Sequence, residues 1–163
     1  MFGLFGYLFF NIYLKWGYSI LGGALTLSIM VLPLILRTTE EALRSVSDTY
    51  REGSFGLGAG KLRTVFRIVL PSAVPGILAG VILAIGRIVG ETAALLYPAG
   101  TAPQVADGLF SSGRTLAVHM YALLNEGLYT EQAYATAVVL LVLVVCINAL
   151  SSFVAKKAGV KEK

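Results

Sequence analysis

The sequence is 163 residues long, 56% apolar and only 13% charged, with a formal net charge of +4. Soluble globular domains carry about 25% charged residues, and disordered chains combine low hydrophobicity with high charge. The composition therefore excludes disorder and disfavours a soluble domain, while the single Cys146 excludes a framework of intrachain disulfides. We predict an all-α membrane protein, a bundle of helices that crosses the bilayer several times.

Four stretches without charged side chains predict membrane helices. A bilayer core about 30 Å thick requires about 20 apolar residues in a helix, and the last three stretches qualify. The first is short, and it has neither the charged n-region nor the cleavage site of a signal peptide, which predicts a transmembrane helix whose beginning is missing. The third uncharged stretch is 68–86, and its span is drawn on to residue 97. The predicted spans are about 1–14, 16–36, 68–97 and 132–155, in one transmembrane domain that covers 1–163.

The basic residues orient these spans. Six of the 13 Lys and Arg residues lie in the 37–67 loop, and four follow the last span. Two crossings separate these segments, so both lie on one side, which the positive-inside rule identifies as cytoplasmic. The 98–131 loop, whose only basic residue is Arg114, is predicted to be external, and the short turn before the second span carries only Lys15. No basic patch with interleaved aromatic residues occurs, so we expect no nucleic-acid partner.

The 37–67 loop contains start and stop signals for helices. Two capping boxes, at 38–41 and 49–52, predict two short helices, the first ending near Val46 and the second covering about 50–57. Gly58 can end the second helix, because glycine adopts the left-handed conformation of a C-terminal cap.

Further helices are predicted on both sides of the third span. One starts near Lys61 and continues into the membrane, where the four-residue spacing of Gly76 and Gly80 permits close helix approach. On the external side, apolar residues near helical spacing in 114–125 predict an amphipathic helix at the membrane interface.

A motif links the second loop helix to the third span. The sequence reads Glu-Gly-Ser, three residues, Gly, nine residues, then Ile-Val-Leu-Pro. This resembles the EAA loop of ABC importer permeases, whose pattern is E-A-A-x3-G-x9-I-x-L-P, with glycine and serine replacing the two alanines. A short helix with small residues on one face fits a groove of another protein, whereas the alternative is an ordinary capped loop helix. The resemblance implies an ATPase-coupling segment made of Glu52, Gly53, Ser54, Gly58, Ile68, Leu70 and Pro71.

Two charged residues stand at the end of the third span. Arg87 and Glu91 are four positions apart, which predicts that they share one helical face. Ionisable groups at membrane depth usually face a pathway or a partner. With Thr92 they are candidates for a substrate pathway or gate, in which the arginine attracts an oxyanion. The alternative is an ion pair that only neutralises itself inside the bundle.

Taken together, these motifs are similar to the permease of phosphate-specific ABC importers over about residues 1–156. Beside the EAA-like loop, the similarity rests on the Arg-Thr-Thr-Glu-Glu-Ala run at 37–42 and the Gly-Glu-Thr-Ala run at 90–93. Ser47 and Ala94 stand where that family often has proline. The resemblance implies the C-terminal two-thirds of a permease with the type I importer fold, located in the bacterial or archaeal inner membrane.

The resemblance also implies partners: a second permease subunit, cytoplasmic ATP-binding subunits, an external phosphate-binding protein and membrane lipid. The chain lacks the G-x4-G-K-[ST] loop that cradles phosphates, so ATP is expected to be bound by a partner. His119 is the only histidine, and we expect no metal, no cofactor and no enzymatic activity. The alternatives are a permease for another oxyanion, such as molybdate or sulfate, and a structural membrane subunit without a pathway of its own.

Overall fold

The computed structural model describes residues 1–157, with side chains to Phe153, and this part of the chain is helical and contains no strand. Lys161 and Lys163, which contribute to the predicted orientation, lie outside the described residues. Two π-helical segments, Tyr7–Tyr13 and Val65–Val69, accompany the α-helices. These are α1 (Phe2–Gly6), α2 (Ile20–Arg44), α3 (Asp48–Gly56), α4 (Lys61–Thr64), α5 (Leu70–Gly90), α6 (Ala93–Leu96), α7 (Leu116–Glu126) and α8 (Thr130–Lys157).

Three helices are long and apolar enough to cross a membrane: Ile20–Arg44, Lys61–Gly90 and Thr130–Phe153. A shorter apolar helix covers Phe2–Tyr13. The third predicted span was drawn to residue 97, but the long helix ends at Gly90 and α6 follows as a separate turn.

The separate helix predicted to start at Thr38 is absent, because α2 continues without interruption to Arg44. The Thr38 hydroxyl lies 3.1 Å from the carbonyl oxygens of both Leu34 and Ile35, to which it donates inside the helix. Such bonding to the preceding turn replaces the capping bond that the sequence pattern predicted. The capping-box interpretation of 38–41 is therefore wrong.

The chain divides into two compact units: Met1–Leu32 with Gly86–Ile147, and Pro33–Ile85 with the end of α8 from Asn148. In the second unit, the C-terminal half of α2 packs antiparallel against the start of α5. A Cβ added to Gly76 would lie 2.8 Å from the Cβ of Ala42, and one added to Gly80 would overlap Thr38. The glycine spacing thus permits the close approach that the sequence predicted. The core of this unit consists of Ala42, Val46, Val69 and Ala73.

A π-helical turn joins α4 to α5. The Leu70 N–H donates to the carbonyl of Val65, five residues earlier, directly before Pro71. A proline removes one backbone donor and collides with the carbonyl four residues before it, and local π turns in membrane helices satisfy the backbone groups that a proline frees. The result is one continuous helix from Lys61 to Gly90.

In the first unit, the N-terminal helix packs against α6 and α2 through glycines. A Cβ added to Gly3 would lie 2.8 Å from the carbonyl oxygen of Ala93, and one added to Gly6 would overlap Thr26. Asn11 is 9% exposed and donates to the carbonyl oxygen of Pro98 at 3.3 Å. The N-terminal helix is thereby fixed to the segment that contains α6.

The first turn of α2 is capped by the segment between α6 and α7. A helix leaves its first four N–H groups without partners inside the helix. Here Gly22 N–H donates to the Ser19 hydroxyl at 3.2 Å, and three preceding groups find carbonyl oxygens further along the chain. These bonds are Ser19 to Pro98 at 3.1 Å, Ile20 to Ser111 at 3.0 Å and Leu21 to Leu109 at 2.9 Å.

The last helix, α8, has almost no partner within the described chain. Only 6% of its most apolar stretch is buried. Its exposed apolar side chains include Val138, Leu141 and Val145, which share one face of the helix, so this face is open to lipid or to other protein.

Candidate functional site

The predicted coupling segment begins with α3, and Ser47 starts this helix. The Ser47 hydroxyl accepts a hydrogen bond from the Thr49 N–H at 3.4 Å, so α3 covers Asp48–Gly56. The N-cap predicted at Thr49 is therefore wrong by two positions. An N-cap residue needs non-helical backbone, which Ser47 has at φ −53° and ψ 135°. The serine supplies a side-chain cap that the proline expected from the family pattern would lack.

Ser54 faces its own chain instead of another protein. It is 5% exposed, and its hydroxyl oxygen lies 2.8 Å from that of Thr64. The Thr64 hydroxyl donates to the Gly60 carbonyl at 3.2 Å, so Ser54 is the donor to Thr64. Gly53 is open, with no atom within 4 Å of a Cβ added there. Of the two small residues expected to enter a partner's groove, only Gly53 is free to do so.

The end of α3 presents apolar side chains to the outside. Gly58 adopts φ +79°, the left-handed conformation that favours glycine, and its surroundings are empty. Phe55 is 45% exposed and Leu57 is 91% exposed. Exposed apolar residues close together often mark an interaction surface, and Glu52 lies exposed on the same helix.

Arg51 ties α3 to the end of α2. Its guanidinium donates to the Leu43 carbonyl at 2.9 Å and forms an ion pair with Asp48. Sequence reasoning missed this residue, although its spacing from Asp48 is that of a helical i,i+3 pair. It also missed Thr64, which carried no sequence signal because its partner lies ten positions away.

Some motif residues that follow α3 in the sequence lie beside it in the structure. A cleft of about 310 Å³ is lined by Ser54, Gly58, Arg63, Arg67 and Ile68, among others. The structure therefore brings three motif positions together, on the two sides of the turn that glycine makes. The last two motif residues begin α5, where Leu70 is half-buried and Pro71 is exposed.

Arg87 and Glu91 do not form the predicted pair on one helical face. Arg87 is exposed in the last turn of α5, and Glu91 lies beyond the end of that helix. The Glu91 carboxylate accepts a hydrogen bond from the Ala94 N–H at 3.1 Å. The ion pairs of the described residues are Arg44 with Glu40 and Arg51 with Asp48.

Each of these two charges is stabilised by a helix end instead. A cation in the last turn interacts favourably with the helix macrodipole, and a carboxylate at the start of a helical turn satisfies a free N–H. Thr92 is half-buried and starts α6 without using its side chain as a cap. Among the described residues Arg87 and Glu91 are therefore not paired with each other, and the side chains of Arg87 and Thr92 keep their hydrogen-bonding capacity.

Comparison with known proteins places the chain in a sequence family. The family described as binding-protein-dependent transport system inner membrane component matches residues 1–160. The probable ABC transporter permease protein YqgI of Bacillus subtilis is 40% identical over 142 residues, covering 79% of this chain and 48% of the relative. No solved structure matches the chain significantly.

Two further relatives are named as phosphate transport system permease proteins. The PstA homolog of Mycoplasma pneumoniae is 35% identical over 161 residues, covering 94% of this chain and 25% of the relative. PstA 2 of Mycobacterium bovis is 44% identical over 98 residues, covering 60% of this chain and 33% of the relative. The chain thus spans between a quarter and about half of the length of these relatives.

Proposed function

Because this chain belongs to the family of binding-protein-dependent transport system inner membrane components, we propose that it serves in the permease subunit of an ATP-driven importer of inorganic phosphate. The assignment of phosphate as the substrate rests on the 35–44% identity to proteins named as phosphate transport permeases. Residues 1–163 then form part of one permease domain. The 37–67 loop and the C-terminus are cytoplasmic, and the 98–131 loop is external.

The α3 helix is the contact with the ATP-binding subunit in this proposal. Its support is the apolar surface of Phe55 and Leu57 beside the open Gly53, held against α4 by the bond from Ser54 to Thr64. Motion of α3 reaches the membrane through the continuous helix that begins at Lys61. A second permease subunit and an external phosphate-binding protein complete the importer.

The pathway is proposed to pass Arg87, Glu91 and Thr92. Arg87 is an exposed cation without an ion-pair partner in the described chain, which suits transient contact with an oxyanion. Glu91 holds the turn after α5 through the Ala94 N–H. Its residual negative charge keeps the passing anion from binding too tightly at the arginine.

Uptake by the intact importer in proteoliposomes tests the substrate. We expect ATP-dependent uptake of radiolabelled phosphate, which unlabelled phosphate suppresses and excess sulfate or molybdate does not. Uptake of sulfate or molybdate in place of phosphate would favour the alternative oxyanion permease. An assembled complex that transports none of the three would support a structural subunit.

Arg87→Gln tests the pathway. Since this side chain is exposed and unpaired in the described chain, its loss should change the free energy of unfolding by no more than about 0.5 kcal/mol, while phosphate uptake is lost. Arg37 is an exposed basic residue on a different helix, α2. Arg37→Gln is therefore the matched control and should retain uptake. Normal uptake in Arg87→Gln would end the pathway role.

Two substitutions of Glu91 separate its charge from its cap. Glu91→Gln keeps an oxygen that accepts from the Ala94 N–H but removes the charge, so we expect normal assembly with reduced uptake. Glu91→Ala removes both and should also lower stability, by about 1 kcal/mol. Normal uptake in Glu91→Gln would assign this residue to the cap alone.

A further inference from the structure

A cavity of about 470 Å³ lies in the first compact unit, beside the first two turns of α2. Its walls are mainly apolar, and the segment between α6 and α7 closes one side. Volumes of about 300–1,000 Å³ are typical of small-molecule sites. The apolar floor follows α2 along Ile20, Ala24 and Leu27.

One cation stands at the rim of this cavity. Arg114 is half-buried, and its guanidinium has only a long contact, 3.5 Å, with the Thr101 carbonyl. The ion pairs found among the described side chains do not include it. Thr115 and Gln104 also line the cavity. The Thr115 oxygen accepts from the Val118 N–H at 3.3 Å, so its hydroxyl proton remains available, and these donors together suit an anionic group.

Aromatic side chains next to the start of α2 support a position of the cavity near the boundary between membrane and water. Trp16 and Phe110 pack edge to face with ring centroids 5.5 Å apart, directly before the apolar helix that begins at Ile20. Tryptophan and other aromatic residues concentrate at this depth. Val105 also lines the cavity and is 91% exposed. An exposed apolar side chain is expected where a protein enters the membrane interface.

The depth of the cavity matches an acyl chain. The seven positions from Ile20 to Leu27 rise about 10 Å along the helix, and one leaflet contributes about 15 Å of hydrocarbon. We propose that this cavity binds an anionic phospholipid from the leaflet on this side, with its phosphate on Arg114 and an acyl chain along α2. Free phosphate has the same head-group chemistry, but it has no acyl chain to fill the apolar part of the cavity along α2.

Lipid titration of the intact importer in mild detergent tests this site, with bound lipid counted by native mass spectrometry. Wild-type protein should bind dioleoyl phosphatidylglycerol more tightly than dioleoyl phosphatidylcholine. Arg114→Gln should lower the affinity for phosphatidylglycerol about fivefold and leave that for phosphatidylcholine unchanged, whereas Arg114→Lys should keep the preference. Lys15→Gln is the matched control, since this residue precedes α2 and does not line the cavity.

A second variant tests the acyl chain separately from the charge. Ala24→Phe fills the cavity from an exposed position on α2 and should weaken binding of both lipids while the complex stays assembled. Inorganic phosphate should not displace bound phosphatidylglycerol. Displacement by phosphate would identify a free-anion site, and unchanged lipid binding in Ala24→Phe would mean that protein fills the cavity; either result overturns the proposal.

Discussion

The two short helices α3 and α7 are capped by the same chemistry. Each begins at a hydroxyl residue whose oxygen accepts a backbone N–H, Ser47 in α3 and Thr115 in α7. Each is followed by a glycine in the left-handed conformation, Gly58 at φ +79° and Gly127 at φ +71°. Local sequence chemistry therefore does not distinguish them.

What distinguishes α3 from α7 is the surface that each buries. α7 turns Ala117, Val118 and Leu123 inward, each 6% exposed or less, whereas the side chain that α3 buries is the polar Ser54. α7 is thus stabilised by apolar packing inside its own chain. α3 is held by polar contacts and leaves its apolar side chains exposed, as expected of a helix that packs on another protein.

Val118→Asn should give the largest effect on stability. Val118 is 1% exposed and packs with Leu95 and Ala99, so an amide there lacks partners and loses apolar contact. We expect the free energy of unfolding to fall by about 3 kcal/mol, measured by denaturation of the intact permease in detergent. Leu124→Asn, on the 47% exposed side of the same helix, is the control. Equal losses would mean that α7 is not anchored by its buried side.

Leu57→Asp should separate assembly from folding. Leu57 is 91% exposed, so its replacement costs the chain itself little, about 0.5 kcal/mol or less. Loss of an interface anchor typically costs about 2 kcal/mol or more, and copurification of the ATP-binding subunit should fall at least about tenfold. Val105→Asp changes an equally exposed apolar residue in the other compact unit and should leave copurification intact. Equal copurification in both variants would contradict docking through α3.

Ser54→Ala should loosen α3 by about 1 kcal/mol, the usual net value of one hydrogen bond. The cycle with Thr64→Val isolates the 2.8 Å contact. If the contact is made, the double variant loses less than the two single variants together. Strict additivity in thermal unfolding would show that the two hydroxyls contribute independently.

Two glycines, Gly53 inside α3 and Gly58 after its end, should respond with opposite signs. Gly53 is helical and open, so Gly53→Ala should raise the free energy of unfolding by about 0.5–1 kcal/mol. Gly58→Ala places a Cβ at φ +79° and should lower it by about 1 kcal/mol, and Gly58→Asn by less. Stabilisation by Gly58→Ala would contradict the left-handed helix end assigned to Gly58, and destabilisation by Gly53→Ala would contradict the open helical position of Gly53.

The sequence predicted those elements that local signals determine. Hydropathy located the long apolar helices, and glycine spacing predicted the close approach at Gly76 and Gly80. It failed where tertiary contact overrides a local pattern. The capping box at 38–41 is present in the sequence, but packing of Ala42 against α5 favours an uninterrupted α2.

For the candidate site, spacing identified the residues but not their directions. Glu91 is four positions from Arg87, yet its carboxylate offers Ala94 a cap that a helix-face argument does not consider. Ser54 matched a motif position, while its inward direction depends on Thr64, ten residues away. Contacts between elements decide such directions, and periodicity along one helix contains no information about them.

The capping of α2 by later residues sets an order of events during synthesis. The amide of Ile20 is satisfied by the carbonyl of Ser111, and that of Ser19 by Pro98. Until the ribosome has made residue 111, the amide of Ile20 lacks this carbonyl partner and bonds to water instead. The hydrogen bonding of the first turn of α2 is therefore complete only after translation of the segment between α6 and α7.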